Sequence, residues 1–177
     1  MDDPAVMTLD RNEIVSDEKD VADGDDLPGS SRRLGIDLDA DSIRDHLGFK
    51  IRMAQATMVR AFLDTVKAHG LTQHQFATLA LLSSNPGIGQ TELAAYLDTD
   101  RASMLAVVGR LQSRGLLARQ QSDSDRRRQE LYLTSAGEQL LLEARPLVEA
   151  HDARYAALFS KAEFALLSEW LERIYAV

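Results

Sequence analysis

The chain has 177 residues, enough to bury the core of one domain of ordinary size. It contains no cysteine, which excludes disulfides, thiolate metal sites and thiol-based oxidant sensing. Its net charge of −8 would argue against a nucleic-acid partner if it were evenly spread, but residues 1–40 hold twelve acids against four bases and the remaining 137 residues carry sixteen of each.

Residues 1–40 are rich in Asp, include Gly24, Pro28 and Gly29, and show no sustained hydrophobic period. They read as a disordered acidic tail, either a solvating segment or a competitor of DNA for basic surface. The tail lacks the basic-then-apolar order of a signal peptide, and no apolar run approaches the ~20 residues a bilayer demands. The expectation is a cytoplasmic protein with no membrane partner.

From Asp41 to His69 the pattern is helical, with Ile43, Leu47, Ile51, Met58, Phe62 and Val66 apolar and Gly70 closing it. The apolar positions spread beyond one stripe, as a helix buried in a dimer interface would require. Lys50, Arg52 and Arg60 punctuate this helix, as a solvated face or as a site for an anionic ligand. Thr72-x-x-Gln75 is a capping box opening a core helix to Leu82 that carries Phe76, Leu79, Leu81 and Leu82. Asn85-Pro86-Gly87 then makes a turn.

Gln90 to Leu97 is a short helix pattern, separated by only Asp98 and Thr99 from a longer one reaching Leu117, which is helix-turn-helix spacing. In the longer helix Asp100 is placed to cap the start and Gly115 to cap the end. Met104, Leu105, Val108 and Leu111 are expected to form its buried stripe. The opposite face then carries Arg101, Ala102, Ser103, Ala106 and Arg110: small residues that allow close approach to a groove floor, with guanidinium groups suited to phosphates and guanine edges. Beyond Gly115 the period becomes alternating, with Leu117–Gln121 and Gln129–Thr134 flanking a polar loop that ends in Arg126, Arg127 and Arg128. This is a two-stranded hairpin with a basic tip, a wing. Seven arginines lie within Arg101 to Arg128 against only Asp123 and Asp125, the clustered footprint of a nucleic-acid binder.

Thr134 caps a second long helix to about Phe159, in which Pro146 predicts a kink or break near Glu143 to Arg145. Ser160-x-x-Glu163 caps a last helix to Tyr175, with Phe164, Leu166, Leu167, Trp170, Leu171 and Ile174 apolar and Trp170 expected in the core. His46, His69, His74 and His151 are the candidates for enzyme or metal chemistry. None has ligand spacing, no phosphate-binding glycine loop or Gly-x-Ser-x-Gly elbow appears, and His151 beside Asp152 reads as part of a polar helix face. A winged helix used for protein contacts, without ligand response, is the competing reading. It would want aromatic and Met anchors on the Arg101 face, where Ala102, Ser103, Ala106 and Arg110 stand instead.

Gln90-x-Glu92-Leu93-Ala94-x-x-Leu97, Arg110-Leu111-x-x-Arg114-Gly115-Leu116, Asp125-Arg126-Arg127 and Leu133-Thr134-x-x-Gly137 together resemble the MarR family of winged-helix transcription regulators, over roughly residues 45–175. The resemblance implies a mainly α fold: a winged helix-turn-helix over 72–134, with a small β-hairpin wing, and a dimerisation layer of helices from both chain ends, 41–69 and 135–177. It implies a homodimeric repressor on a pseudo-palindromic double-stranded operator, with no cofactor and no metal. Gly109 stands where most members have an acidic residue that pairs with a wing arginine, here Arg127, so that brace is absent. The family fold would place a ligand pocket where Arg52, Gln55, Met58, Arg60, His74 and Phe76 could face one another. These residues either line the pocket or simply pack the helices. Arg52 to Gln55 and Leu71 to Leu79 are most similar to the branch that controls aromatic-acid catabolism, which implies an aromatic acid or aromatic acyl-CoA as effector.

Overall fold

The computed structural model of the chain describes residues 41–122 and 128–176. The expected acidic tail and the wing-tip residues Arg126 and Arg127 lie outside the described residues. Contacts divide the chain between Ala56 and Thr57, inside a helix, and the two units are taken separately.

The first unit contains α1 (Asp41–Arg44) and the start of α2 (Leu47–Thr65). The single helix expected from Asp41 to His69 is therefore interrupted. The His46 N–H donates to the Ile43 carbonyl at 3.1 Å and closes the first turn, while the His46 carbonyl accepts from Lys50 N–H and starts α2. The polar pair Asp45 and His46 supplies no apolar side chain to hold a helix through this point. Ile43 and Leu47 are exposed.

In the second unit α2 ends in a 3-10 turn, Lys67–His69, closed by Gly70 at φ 57°, the left-handed conformation expected of it. Then follow α3 (Gln73–Ser84), α4 (Gln90–Tyr96), α5 (Arg101–Ser113), β1 (Leu117–Gln121), β2 (Gln129–Leu133), α6 (Ser135–Ala156) and α7 (Lys161–Tyr175). The Thr72–Gln75 capping box forms as its spacing predicts. The strands pair antiparallel from Leu117↔Leu133 to Gln121↔Gln129. The core gathers Phe62 of α2 and Val66 just after it, Leu79 and Leu82 of α3, Leu93 of α4, Met104, Val108 and Leu111 of α5, Leu131 of β2, and Leu141 and Val148 of α6. Among the described residues, no helix is long and apolar enough to cross a membrane.

Three expectations are corrected in the last two helices. Pro146 does not break α6, which runs unbroken over 22 residues. The proline removes one donor only, and the carbonyl it orphans belongs to Leu142, an exposed residue where water can take its place. His151 does not sit on a polar face. It is 4% exposed, between Phe62 and Tyr155, with ring centroids 5.8 and 5.1 Å away. Its Nδ1 lies 3.0 Å from Asp152 Oδ1 and its Nε2 3.1 Å from the Met58 carbonyl oxygen, so burial costs the imidazole no polar partner. Trp170, expected in the core, is 52% exposed, and no residue of α7 is buried within the chain. Phe164, Leu166, Leu171 and Ile174 are exposed beside it.

Candidate nucleic-acid interface

The helix-turn-helix is fixed by backbone geometry at both ends of α5. Asp98 takes φ 46°, a left-handed conformation that Asp tolerates better than most residues. With it the Thr99 N–H reaches the Ala94 carbonyl at 2.9 Å and stops α4. Asp100 then accepts from the backbone N–H of Ala102 and of Ser103, each at 2.9 Å. Hydrogen bonds from Ser103 hold the Asp100 carboxyl below the usual aspartate range. At the far end Gly115 sits at φ 69°, Leu116 N–H donates to the Leu111 carbonyl at 3.0 Å, and Gly115 N–H donates to that of Gln112 at 2.9 Å. That pair of bonds is a Schellman closure.

Met104, Val108 and Leu111 are fully buried, with Val107 packed beside them. Leu105, expected in the same stripe, is 53% exposed. Met104, Val107, Val108 and Leu111 already satisfy the i, i+3, i+4, i+7 spacing, and residue 105 falls one step off it. Arg101, Ala102, Ser103, Ala106 and Arg110 are all exposed on α5. A Cβ built on Gly109 would meet nothing within 4 Å, so helix packing does not account for this glycine.

Three further arginines of the basic segment, Arg114, Arg119 and Arg128, brace the fold. The Arg114 guanidinium chelates the end of the 3-10 turn, donating to the carbonyls of Gly70 at 2.7 Å and His69 at 2.8 Å. Arg119 Nε donates to Gln112 Oε1 at 3.0 Å, tying β1 to α5. Arg128 Nη2 donates to both carboxylate oxygens of Glu92, at 3.0 and 3.2 Å. Glu92 in turn accepts from the Gly89 backbone N–H at 2.6 Å. Gly89 bridges to Glu130, and Leu131 N–H donates to the Ile88 carbonyl at 3.1 Å, so the root of the wing is laced to the segment that opens α4. Glu130 closes the network: hydrogen bonds from Ser122 and Tyr132, with the nearby charge of Arg128, hold its carboxyl below the usual glutamate range. The sequence motif includes Glu92 but gives no sign of its bond to Arg128, and Glu130 has no part in the sequence reading. Glu92 lies 36 residues from Arg128, and only its capping distance from Gly89 was open to inspection.

Of the six residues expected at a ligand pocket, Arg52 and Gln55 are exposed in the first unit. In the second, Arg60 and His74 are exposed, and Met58 and Phe76 are half-buried. Phe76 meets Phe62 edge-on with centroids 6.2 Å apart, and Phe62 continues to His151 and Tyr155. Of this aromatic row the sequence assigns only Phe76 to the pocket.

The MarR family signature matches residues 71–128, from just before the α3 cap to the residue preceding β2. The putative transcriptional regulatory protein for the hcr operon of Thauera aromatica is 36% identical over 135 residues, covering 76% of this chain and 81% of that protein. The transcriptional repressor CouR bound to a 23-mer DNA duplex superposes with a TM-score of 0.73 at 35% identity, covering 78% of this chain and 99% of CouR. CouR bound to p-coumaroyl-CoA superposes with a TM-score of 0.70 at 33% identity, covering 78% and 98%. With a helix-turn-helix, a laced hairpin wing and these relatives, the chain belongs to the MarR family of DNA-binding transcriptional regulators, which are not enzymes.

Proposed function

We propose that the protein is a homodimeric repressor whose α5 enters the major groove of a pseudo-palindromic operator and whose wing tracks the neighbouring minor groove, with release by an aromatic acyl-CoA or the free aromatic acid. The observation that carries the DNA half of this reading is the outer face of α5. A helix capped at both ends and sealed on its inner side presents Arg101, Ala102, Ser103, Ala106 and Arg110 to solvent. Two-fold symmetry then calls for half-site centres about 10 base pairs apart. Arg126 and Arg127 are assigned to the wing's phosphate and minor-groove contacts. Arg128, held by Glu92, is assigned to placing the wing as well as to charge.

Dimerisation is supported by the apolar side of α7, where Phe164, Leu166, Trp170, Leu171 and Ile174 are exposed among the described residues. The effector half rests on the relatives: one repressor solved with both DNA and p-coumaroyl-CoA, and one regulator assigned to the hcr operon. Arg52, Gln55, Met58, Arg60, His74 and Phe76 are assigned to the effector, the cations for its anionic groups and Met58 and Phe76 for its ring.

The test is operator binding followed by fluorescence anisotropy while p-coumaroyl-CoA or p-coumaric acid is added. Tenfold release requires the effector to favour the non-binding geometry by about 1.4 kcal/mol. Arg52→Ala and Arg60→Ala are expected to blunt release while sparing operator affinity. Neither a change in operator binding nor in Trp170 fluorescence with any such compound would return the effector to unknown and leave the DNA reading standing.

A further inference from the structure

On the solvent side of α5, Ala102, Leu105, Ala106 and Gly109 follow one another at i, i+3, i+4 and i+7 and share one face. Of the four, Leu105 alone is large. It stands one turn from Arg101 and one turn from Gly109, whose missing side chain leaves open space. An exposed leucine on a surface needs no explanation by itself. Its position does, because it stands on the solvent side of the helix assigned to DNA, one turn from Arg101.

A leucine cannot hydrogen-bond a base edge. In the major groove the one apolar feature a base pair offers is the C5-methyl of thymine. Arginines flanking this leucine are suited to guanine, and Ala102, Ala106 and Gly109 are low enough to let the groove floor come close to it. We propose that Leu105 is a specificity-determining residue that packs on a thymine methyl group in each operator half-site. This inference rests on the reading of α5 as the DNA-reading helix and adds the base chemistry that Leu105 selects.

Uracil differs from thymine only by the methyl group, so it removes the proposed contact and leaves pairing and groove hydrogen bonds intact. Loss of one buried methyl corresponds to about fourfold in affinity, and a symmetric pair to on the order of fifteenfold. The experiment uses the full chain and a duplex that the wild type selects from a random pool, with each symmetric pair of thymines replaced in turn by uracil. Wild type, Leu105→Ala and Arg110→Ala are titrated on every duplex, and circular dichroism checks that the variants fold; Leu105 is exposed, so its loss leaves no cavity. The expected result is one thymine pair at which uracil weakens the wild type and Arg110→Ala by about the stated factor and leaves Leu105→Ala unaffected. Leu105→Ala itself should bind the unmodified duplex on the order of tenfold less well, with non-specific DNA binding unchanged. A Leu105→Ala protein that keeps the wild-type affinity, or keeps the wild-type sensitivity to uracil at every position, would overturn the assignment of Leu105 alone. A wild type that selects no sequence would overturn the reading of α5, and this inference with it.

Discussion

Helices α5 and α7 are of similar length, 13 and 15 residues, and each opens on a side-chain cap, yet they treat apolar surface in opposite ways. Met104, Val108 and Leu111 of α5 are wholly enclosed by α3, α4 and the strands of the same chain, whereas Phe164, Trp170 and Ile174 of α7 remain in solvent. The difference separates a helix whose neighbours are all present from one whose amphipathic pattern is the plainer of the two but whose partner is not among the described residues. Stability of the winged helix should therefore be intrinsic to the chain, and the apolar side of α7 should respond to association.

The largest effect is expected inside α5. Leu111→Ala should destabilise the fold by roughly 2–5 kcal/mol through lost burial and a residual cavity, read as a lower urea midpoint. Trp170→Ala, by contrast, should scarcely move the unfolding of the isolated protomer. It should instead weaken self-association by about 2 kcal/mol or more, seen as concentration-dependent sedimentation shifting to lower mass. An unchanged association constant would mean that something other than a second copy covers α7.

Next in size is Gly109→Ala. A glycine inside a helix costs about 1 kcal/mol relative to alanine, and the added Cβ meets nothing, so thermal unfolding should shift upward. Gly137 is the opposite case: a Cβ there would run into the Leu116 carbonyl oxygen, and alanine should destabilise. The smallest effect concerns acid. Because hydrogen bonds from Ser103 depress the Asp100 pKa in the fold, its contribution is complete above the usual aspartate range and is lost as pH falls through the still lower folded value. Asp100→Asn keeps a competent cap, so it should match the wild type near neutral pH and show a shallower acid limb in denaturation scans.

The features most legible in the sequence were those written at short, fixed spacing. Asp100 with Ser103, Thr72 with Gln75, Ser160 with Glu163, and Gly115 with Gln112 each need only a neighbour three residues away. Residue chemistry misled where it was allowed to outrank period. Leu141, Ala144, Val148 and His151 recur at core spacing, and the polarity of the last hid a buried ring. Leu105 was the mirror case, an apolar residue off the buried phase. Contacts between distant segments left no trace in the pattern: Arg114 with Gly70 and Arg128 with Glu92 follow from how the elements pack, and both show arginines of the basic cluster serving the fold.

The central claim is that the outer face of α5 reads base sequence. Its most direct test is the ratio of affinities for the selected operator and for a scrambled duplex, measured at one fixed salt concentration for the wild type, Arg101→Ala and Arg110→Ala. The account predicts that each substitution lowers that ratio, by ~1–3 kcal/mol where the arginine contacts a base, with affinity for the scrambled duplex falling less. A ratio unchanged in both variants, with the two affinities falling together, would place these arginines on phosphates alone and contradict it.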